Sequence, residues 1–172
     1  VLSELFDPSV VLAKTPSDGG GALLLRCVKT HTEASSDPKL TPLFHETVTG
    51  NPHVMSSLIK CLGGSETIIA DFGAVFAGLP AQSRENGRKQ LDLFLKTIEY
   101  NGPVIDYRRY LGQFASASAV AAVLAVSLLK TGEISSALTE NKNIHLNGKG
   151  ILLLGLGNSV TAVAVQNGEG SP

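Results

Sequence analysis

The sequence predicts an α/β fold, a helix-covered layered sheet that runs β-α-β-α-β-α-β-β from Thr41 onward around one buried alanine-rich helix. Three observations carry this reading. Short apolar runs, β-branched or bounded by glycine, recur along the chain as buried strands require. Between them, apolar residues fall at helical spacing. Stop signals at Gly63-Gly64, Asn101-Gly102-Pro103 and Thr131-Gly132 then separate the two kinds of segment. Strand alternating with helix is the pattern of a sheet with helices packed on it.

The first forty residues are loop-rich, with turn chemistry at Asp7-Pro8 and from Pro16 to Gly21. GALLLRCVK, Gly21 to Lys29, reads as a buried strand, and HTEASSDPK after it as a polar connection. Thr41 to Thr49 resumes an extended pattern. Asn51 before Pro52 is a helix start, a capping side chain followed by a proline whose missing N–H costs little there. That helix is expected to reach Leu62 with Met55, Leu58, Ile59 and Leu62 on one face. ETIIADFGAVF reads as a buried strand leaving through Gly73. Ser83 can cap a second helix through RENGRKQLDLFLKTIEY, with Leu91, Leu95 and Ile98 inward and Arg84, Arg88 and Lys89 outward. VIDYRRYL is a short extended lead-in to FASASAVAAVLAVSLLK, a helix expected to be buried on all sides. Two strands, Gly150 to Leu154 and Val160 to Gln166, flank Gly155-Leu156-Gly157-Asn158-Ser159 and predict a hairpin with a glycine-rich turn.

Composition removes several function classes. A length of 172 residues and 17.9 kDa suits one domain or half of a larger one. The 43% hydrophobic content excludes a disordered tail. With 14 Lys and Arg against 15 Asp and Glu, the net charge of -1 offers no nucleic-acid or anionic-membrane surface. Leu111 to Leu129 carries no charge and approaches the length of a membrane span, about 20 residues. Its serines, its Gln113 and the absence of flanking aromatic belts argue for a buried helix in a soluble, cytoplasmic protein instead. No basic segment precedes an apolar run at the start, so a signal peptide is not expected. Val1 in place of Met fits a removed initiator or a piece cut from a longer chain.

The candidate chemistry is sparse. GLGNS could cradle phosphate, but the dinucleotide motif needs a helix after the loop, and here a strand succeeds it. Tight-turn glycines are the better reading. Of the four histidines, His31, His45, His53 and His145, none pairs with a cysteine or carboxylate at ligand spacing, so neither a metal nor a cofactor is expected. Cys27 lies mid-strand as a small hydrophobe. Cys61 sits at a helix C-terminus, where the dipole disfavours a thiolate. No catalytic apparatus is visible.

The order of pieces nonetheless resembles a known family. Gly112-Gln113-Phe114-Ala115-Ser116-Ala117-Ser118-Ala119 opens the alanine-rich helix a few residues after Arg108, and a strand–GLGNS–strand closes the chain. This is similar to the C-terminal portion of a β-ketoacyl synthase of the thiolase fold, with the flavour of divergent aryl-polyene-pathway proteins and chain-length factors. SDGGGALLL resembles the family's Gly-Glu-Gly-Ala strand, and IIADFGAVF the strand that ends in His-Gly-Thr. The resemblance implies that residues 1–50 end an N-terminal thiolase-like half, that 51–166 form the C-terminal half, and that 167–172 are a flexible tail. The family's first histidine would fall near Phe72, its lysine on Arg108 and its second histidine on Gln113, while its nucleophilic cysteine belongs to a region absent here. Gly155, Gly157, Asn158 and Ser159 would form the pocket loop.

Carried onto these positions, the family's chemistry is mostly lost. In its condensation two imidazoles polarise a thioester carbonyl and steady the developing enolate. A phenyl ring offers no hydrogen bond, and a carboxamide exchanges no proton near neutral pH. The resemblance therefore implies a ketosynthase-like, non-catalytic subunit that supports acyl-chain condensation in fatty-acid or polyketide synthesis. Its implied partners are an N-terminal half or a catalytic ketosynthase, in a dimer, and an acyl carrier protein. Two alternatives remain open: a truncated piece of an active β-ketoacyl synthase, and an unrelated α/β binding domain.

Overall fold

The computed structural model describes residues 37–49, 51–139 and 142–168. Strand β1 (Lys39–Thr47) is followed by helices α1 (Val54–Cys61) and α2 (Ser65–Asp71) and strand β2 (Phe72–Gly78). A single 3₁₀ turn (Ala81–Ser83) leads into α3 (Arg84–Ile98) and β3 (Val104–Asp106). Helices α4 (Tyr107–Leu111) and α5 (Ala117–Thr131) come next. A small pair of strands, β4 (Glu133–Ile134) and β5 (Ile144–His145), brackets α6 (Ser136–Thr139). The hairpin of β6 (Gly150–Gly155) and β7 (Ser159–Gln166) closes the fold.

Five strands form one mixed sheet in the order β1-β7-β6-β2-β3. β2 runs parallel to both β3 and β6, whereas β7 runs antiparallel to β6 and to β1. The described part of residues 1–50 thus shares its sheet with strands from the rest of the chain. The central strands read as unbroken apolar runs because helices cover both faces. Val75, Ala77, Leu152 and Leu154 meet Leu58, Ile68, Leu91, Phe94 and Ile98 on the face under α1, α2 and α3. Ala74, Phe76, Ile151 and Leu153 meet Ala117, Ala121 and Ala125 on the face under α5. The β2–β6 register shifts between Phe72 and Ala74, which puts Phe72 on the first of these faces despite its even number.

Several sequence expectations are met: β1, the α1 segment, α3 after Ser83, and the terminal hairpin, whose ladder runs from Ile151↔Val165 to Gly155↔Thr161. Four others need correction. First, α1 begins at Val54, because Asn51 Oδ1 accepts from His53 N–H (2.8 Å) and closes a turn ahead of the helix. Second, ETIIADFGAVF divides: Ser65–Asp71 is helical, and the strand begins only at Phe72. Paired isoleucines suggested a strand, yet only Ile68 is buried while Ile69 is exposed, and one buried residue in two turns is the mark of a surface helix. Third, VIDYRRYL is extended for three residues and then helical, because Asp106 caps α4 by accepting from Arg108 N–H at 3.2 Å.

Fourth, α5 is buried on one side rather than all round. Ala117, Ala121, Ala122, Ala125 and Leu129 face the sheet; Ser118, Ala119, Ser127 and Lys130 are exposed. Alanine brings the helix axis close to the strands and leaves the apolar outer residues half-covered. No helix among the described residues is long and apolar enough to cross a membrane. The expectations for Gly21 to Lys29, with Cys27 and His31, and most of the 167–172 tail lie outside the described residues.

Candidate functional site

In an open α/β sheet, ligands settle in the crevice beyond the carboxyl ends of the parallel strands. Here that edge is built from the ends of β2, β6 and β3. Leu156 N–H donates to Gly78 C=O (3.2 Å), which ties the first two ends together. An open depression of about 1020 Å³ lies beside them, against the first turns of α3. Leu79, Ala81, Ser83, Arg84, Asn86 and Asn158 are among its lining residues.

The walls are held by close backbone approach. At Gly78 an added Cβ would stand 2.1 Å from the Tyr107 phenol oxygen, so only glycine lets that buried ring lie across the strand end. At Gly157, φ is +128° and a Cβ would fall 2.3 Å from Ser83 Oγ, so the hairpin loop rests directly on the start of α3. From α3, Gln90 Nε2 donates to Gly157 C=O (2.9 Å), and Gln90 Oε1 accepts from Gly157 N–H (2.8 Å). Asn86 Nδ2 donates to the same carbonyl at 3.0 Å.

The charged groups nearby neutralise one another. Arg84 donates to Asp106 at 2.7 Å, Lys89 pairs with Glu85 at 2.7 Å, and Arg88 faces Asp92 at 3.3 Å. Lys89 holds the Glu85 carboxyl below the usual range. Burial pushes the Tyr107 phenol up, against the opposing pull of Arg108, so it stays neutral. Arg108 Nη1 donates to Phe114 C=O (3.0 Å).

The three positions singled out in the sequence do not all meet. Gln113 Oε1 accepts from Ala81 N–H (3.1 Å), with a longer 3.5 Å contact from Nε2 to Leu79 C=O, so it sits at this edge. Arg108 belongs to α4 at the same edge. Phe72 begins β2 at its opposite end, roughly 20 Å away along the strand, and packs in the core under α1 to α3. Gly155, Gly157, Asn158 and Ser159 form the turn at the site edge, with Asn158 on the depression.

Other candidates stand elsewhere. His45 is exposed on β1, His53 precedes α1, and His145 faces Glu133 across the β4–β5 pair at 3.8 Å. Cys61 ends α1, its Sγ 3.2 Å from Leu43 C=O. Among the described residues no three His, Cys, Asp or Glu side chains could hold a metal ion. Sequence reasoning missed Gln90, Asn86 and the Arg84–Asp106 pair. The signal for Gln90 was present, since it interrupts the apolar stripe Gly87, Leu91, Phe94, Ile98.

Hydroxyls, carboxamides, backbone groups and paired ions can bind and orient a ligand. Among the described residues, neither an imidazole nor a thiol lines the depression to move a proton or attack a carbonyl. No family model, curated protein or solved structure matches the chain.

Proposed function

We propose that this chain is a ketosynthase-like, non-catalytic unit, a thiolase-like half whose work is to shape an acyl-binding site and complete an active partner. The observation that carries the reading is the fate of Gln113. It occupies the position corresponding to the family's second histidine, five residues after Arg108, at the carboxyl end of β2. Its amide is spent on the backbone of Leu79 and Ala81. A carboxamide so engaged fixes a loop; it cannot shuttle a proton.

The order of elements, the alanine-rich helix on one face and the terminal strand–GLGNS–strand support the same reading. β2 runs on from Phe72 to Gly78, so the position that the resemblance gives to the first histidine lies at the far end of the strand and is taken by a buried phenyl ring. A phenyl ring supplies no hydrogen bond to a developing oxyanion. Losing oxyanion-type donors raises a barrier by about 3–4 kcal/mol each.

The test is malonyl-thioester decarboxylation by the chain alone, by the chain with an added catalytic ketosynthase, and by Gln113→His. The chain alone and the His variant are expected to be inert, and any activity to follow the added synthase. Unaided turnover, or activity that tracks residue 113, overturns the proposal.

A second reading is an α/β binding domain unrelated to ketosynthases. The separation of Phe72 from Gln113 along β2 favours it. On this reading, adding a ketosynthase produces no complex.

A further inference from the structure

Apart from Tyr107, Gln90 is the one residue with a polar side chain that the fold fully buries among the described residues. A buried amide is costly unless all its bonds are made. Here both ends of the carboxamide go to one residue: Gly157 receives a hydrogen bond at its carbonyl and gives one from its N–H. The β6–β7 ladder stops at Gly155↔Thr161, so the peptide groups of Gly157 lie beyond the sheet's own pairing. Asn86, four residues earlier on α3, adds a bond to the same carbonyl.

We infer that Gln90 is a positioning residue: it latches the Gly155–Ser159 turn onto α3 and so fixes the wall of the depression that carries Asn158. The latch is independent of whether the chain serves a ketosynthase or is an unrelated binding domain. A two-bond clamp of this kind needs one group that donates and accepts side by side. A carboxamide does so at any pH, a protonated carboxyl does so too, and a carboxylate only accepts. The charged groups on the adjoining turns of α3 are Arg84, Glu85, Arg88 and Lys89, each paired with Asp106, Asp92 or one another. They leave the clamp to neutral groups.

The experiment is amide hydrogen exchange at Gly157, measured against core amides of β2 and β7, in the wild type, Gln90→Glu and Gln90→Met at about pH 7 and about pH 4. In the Glu variant near neutrality a carboxylate would face the Gly157 carbonyl. The carboxylate keeps an acceptor for Gly157 N–H but repels the Gly157 carbonyl and pushes the turn off α3, so protection at Gly157 is expected to fall about fivefold, the factor that one net hydrogen bond of about 1 kcal/mol is worth. It is expected to return on acidification, when the carboxyl regains a donor. The Met variant is expected to lose protection at both pH values. If the Glu variant does not hold its fold near neutrality, refolding on acidification carries the same information. Unchanged protection in the Glu variant, a loss that acid does not restore, or a loss spread evenly through the sheet overturns the assignment.

Discussion

Tyr100 lies just past the end of α3 and folds back over Gly102, where an added Cβ would stand 2.4 Å from the phenol oxygen. That hydroxyl is buried without a hydrogen-bond partner among the described residues. Burial pushes the phenol up to about 12, from an ordinary value of 10.0. Raising the folded-state value favours the neutral form, so its contribution to stability is intact below about pH 10 and is lost as pH climbs toward 12. Tyr100→Phe removes both the unmet hydroxyl and this alkaline liability. The variant is expected to gain about 1 kcal/mol near neutrality and to show a flatter decline above pH 10. Urea unfolding of both proteins at the two ends of this range checks it. A less stable Phe variant would mean that the hydroxyl is satisfied.

Among the elements, the junction of β3 and α4 shows how one side chain can end a strand and start a helix. Asp106 closes the strand, accepts from Arg108 N–H and receives the Arg84 guanidinium. Asp106→Ala is expected to cost about 1–2 kcal/mol through the lost cap. Asp106→Asn keeps a capping oxygen and loses only a part-exposed ion pair, worth about 1 kcal/mol or less. Chemical denaturation of the two variants separates these contributions, and equal losses would remove the cap from the account. Elements were legible in the sequence where burial is strong and periodic. The apolar runs of β2 and β6 and the stripe of α3 announce themselves because each residue in them has a core partner. Helix α2 was not legible, since a short surface helix with one buried isoleucine leaves no period to detect. Helix α4 had a cap in plain view, but five residues are too few for an amphipathic pattern. The edge was legible in part: Gln113 bonds the chain just after β2, Arg108 lies on the helix that follows β3, and Asn158 of the GLGNS turn lines the depression. Phe72 does not reach it, because strand length, which decides which residue reaches the sheet edge, was set by the hidden α2.

Among the described residues, the two faces of the sheet are covered unequally. Three helices seal one face, whereas α5, with α4 at its edge, carries most of the other. Helix α5 is apolar over most of its length, with the stripe opposite its sheet contacts made of exposed Ala119, Ser127 and, at its end, Lys130 beside half-buried Val123. A helix of that character ordinarily lies between two layers, not over one. If the chain completes a larger thiolase-like body as proposed, this stripe is where the second layer rests. Val123 is half-buried and belongs to neither core cluster, so a lysine there leaves both clusters in place and can carry its ammonium to solvent. Val123→Lys is therefore expected to cost about 1 kcal/mol of stability and to leave the chain folded. It should also abolish association with a catalytic ketosynthase, because a desolvated lysine at the centre of an apolar contact has no partner charge. Thermal unfolding and sedimentation of the mixture read the two effects separately. A lysine variant that still associates would move the contact elsewhere on the surface, and one that unfolds would show that Val123 belongs to the core after all.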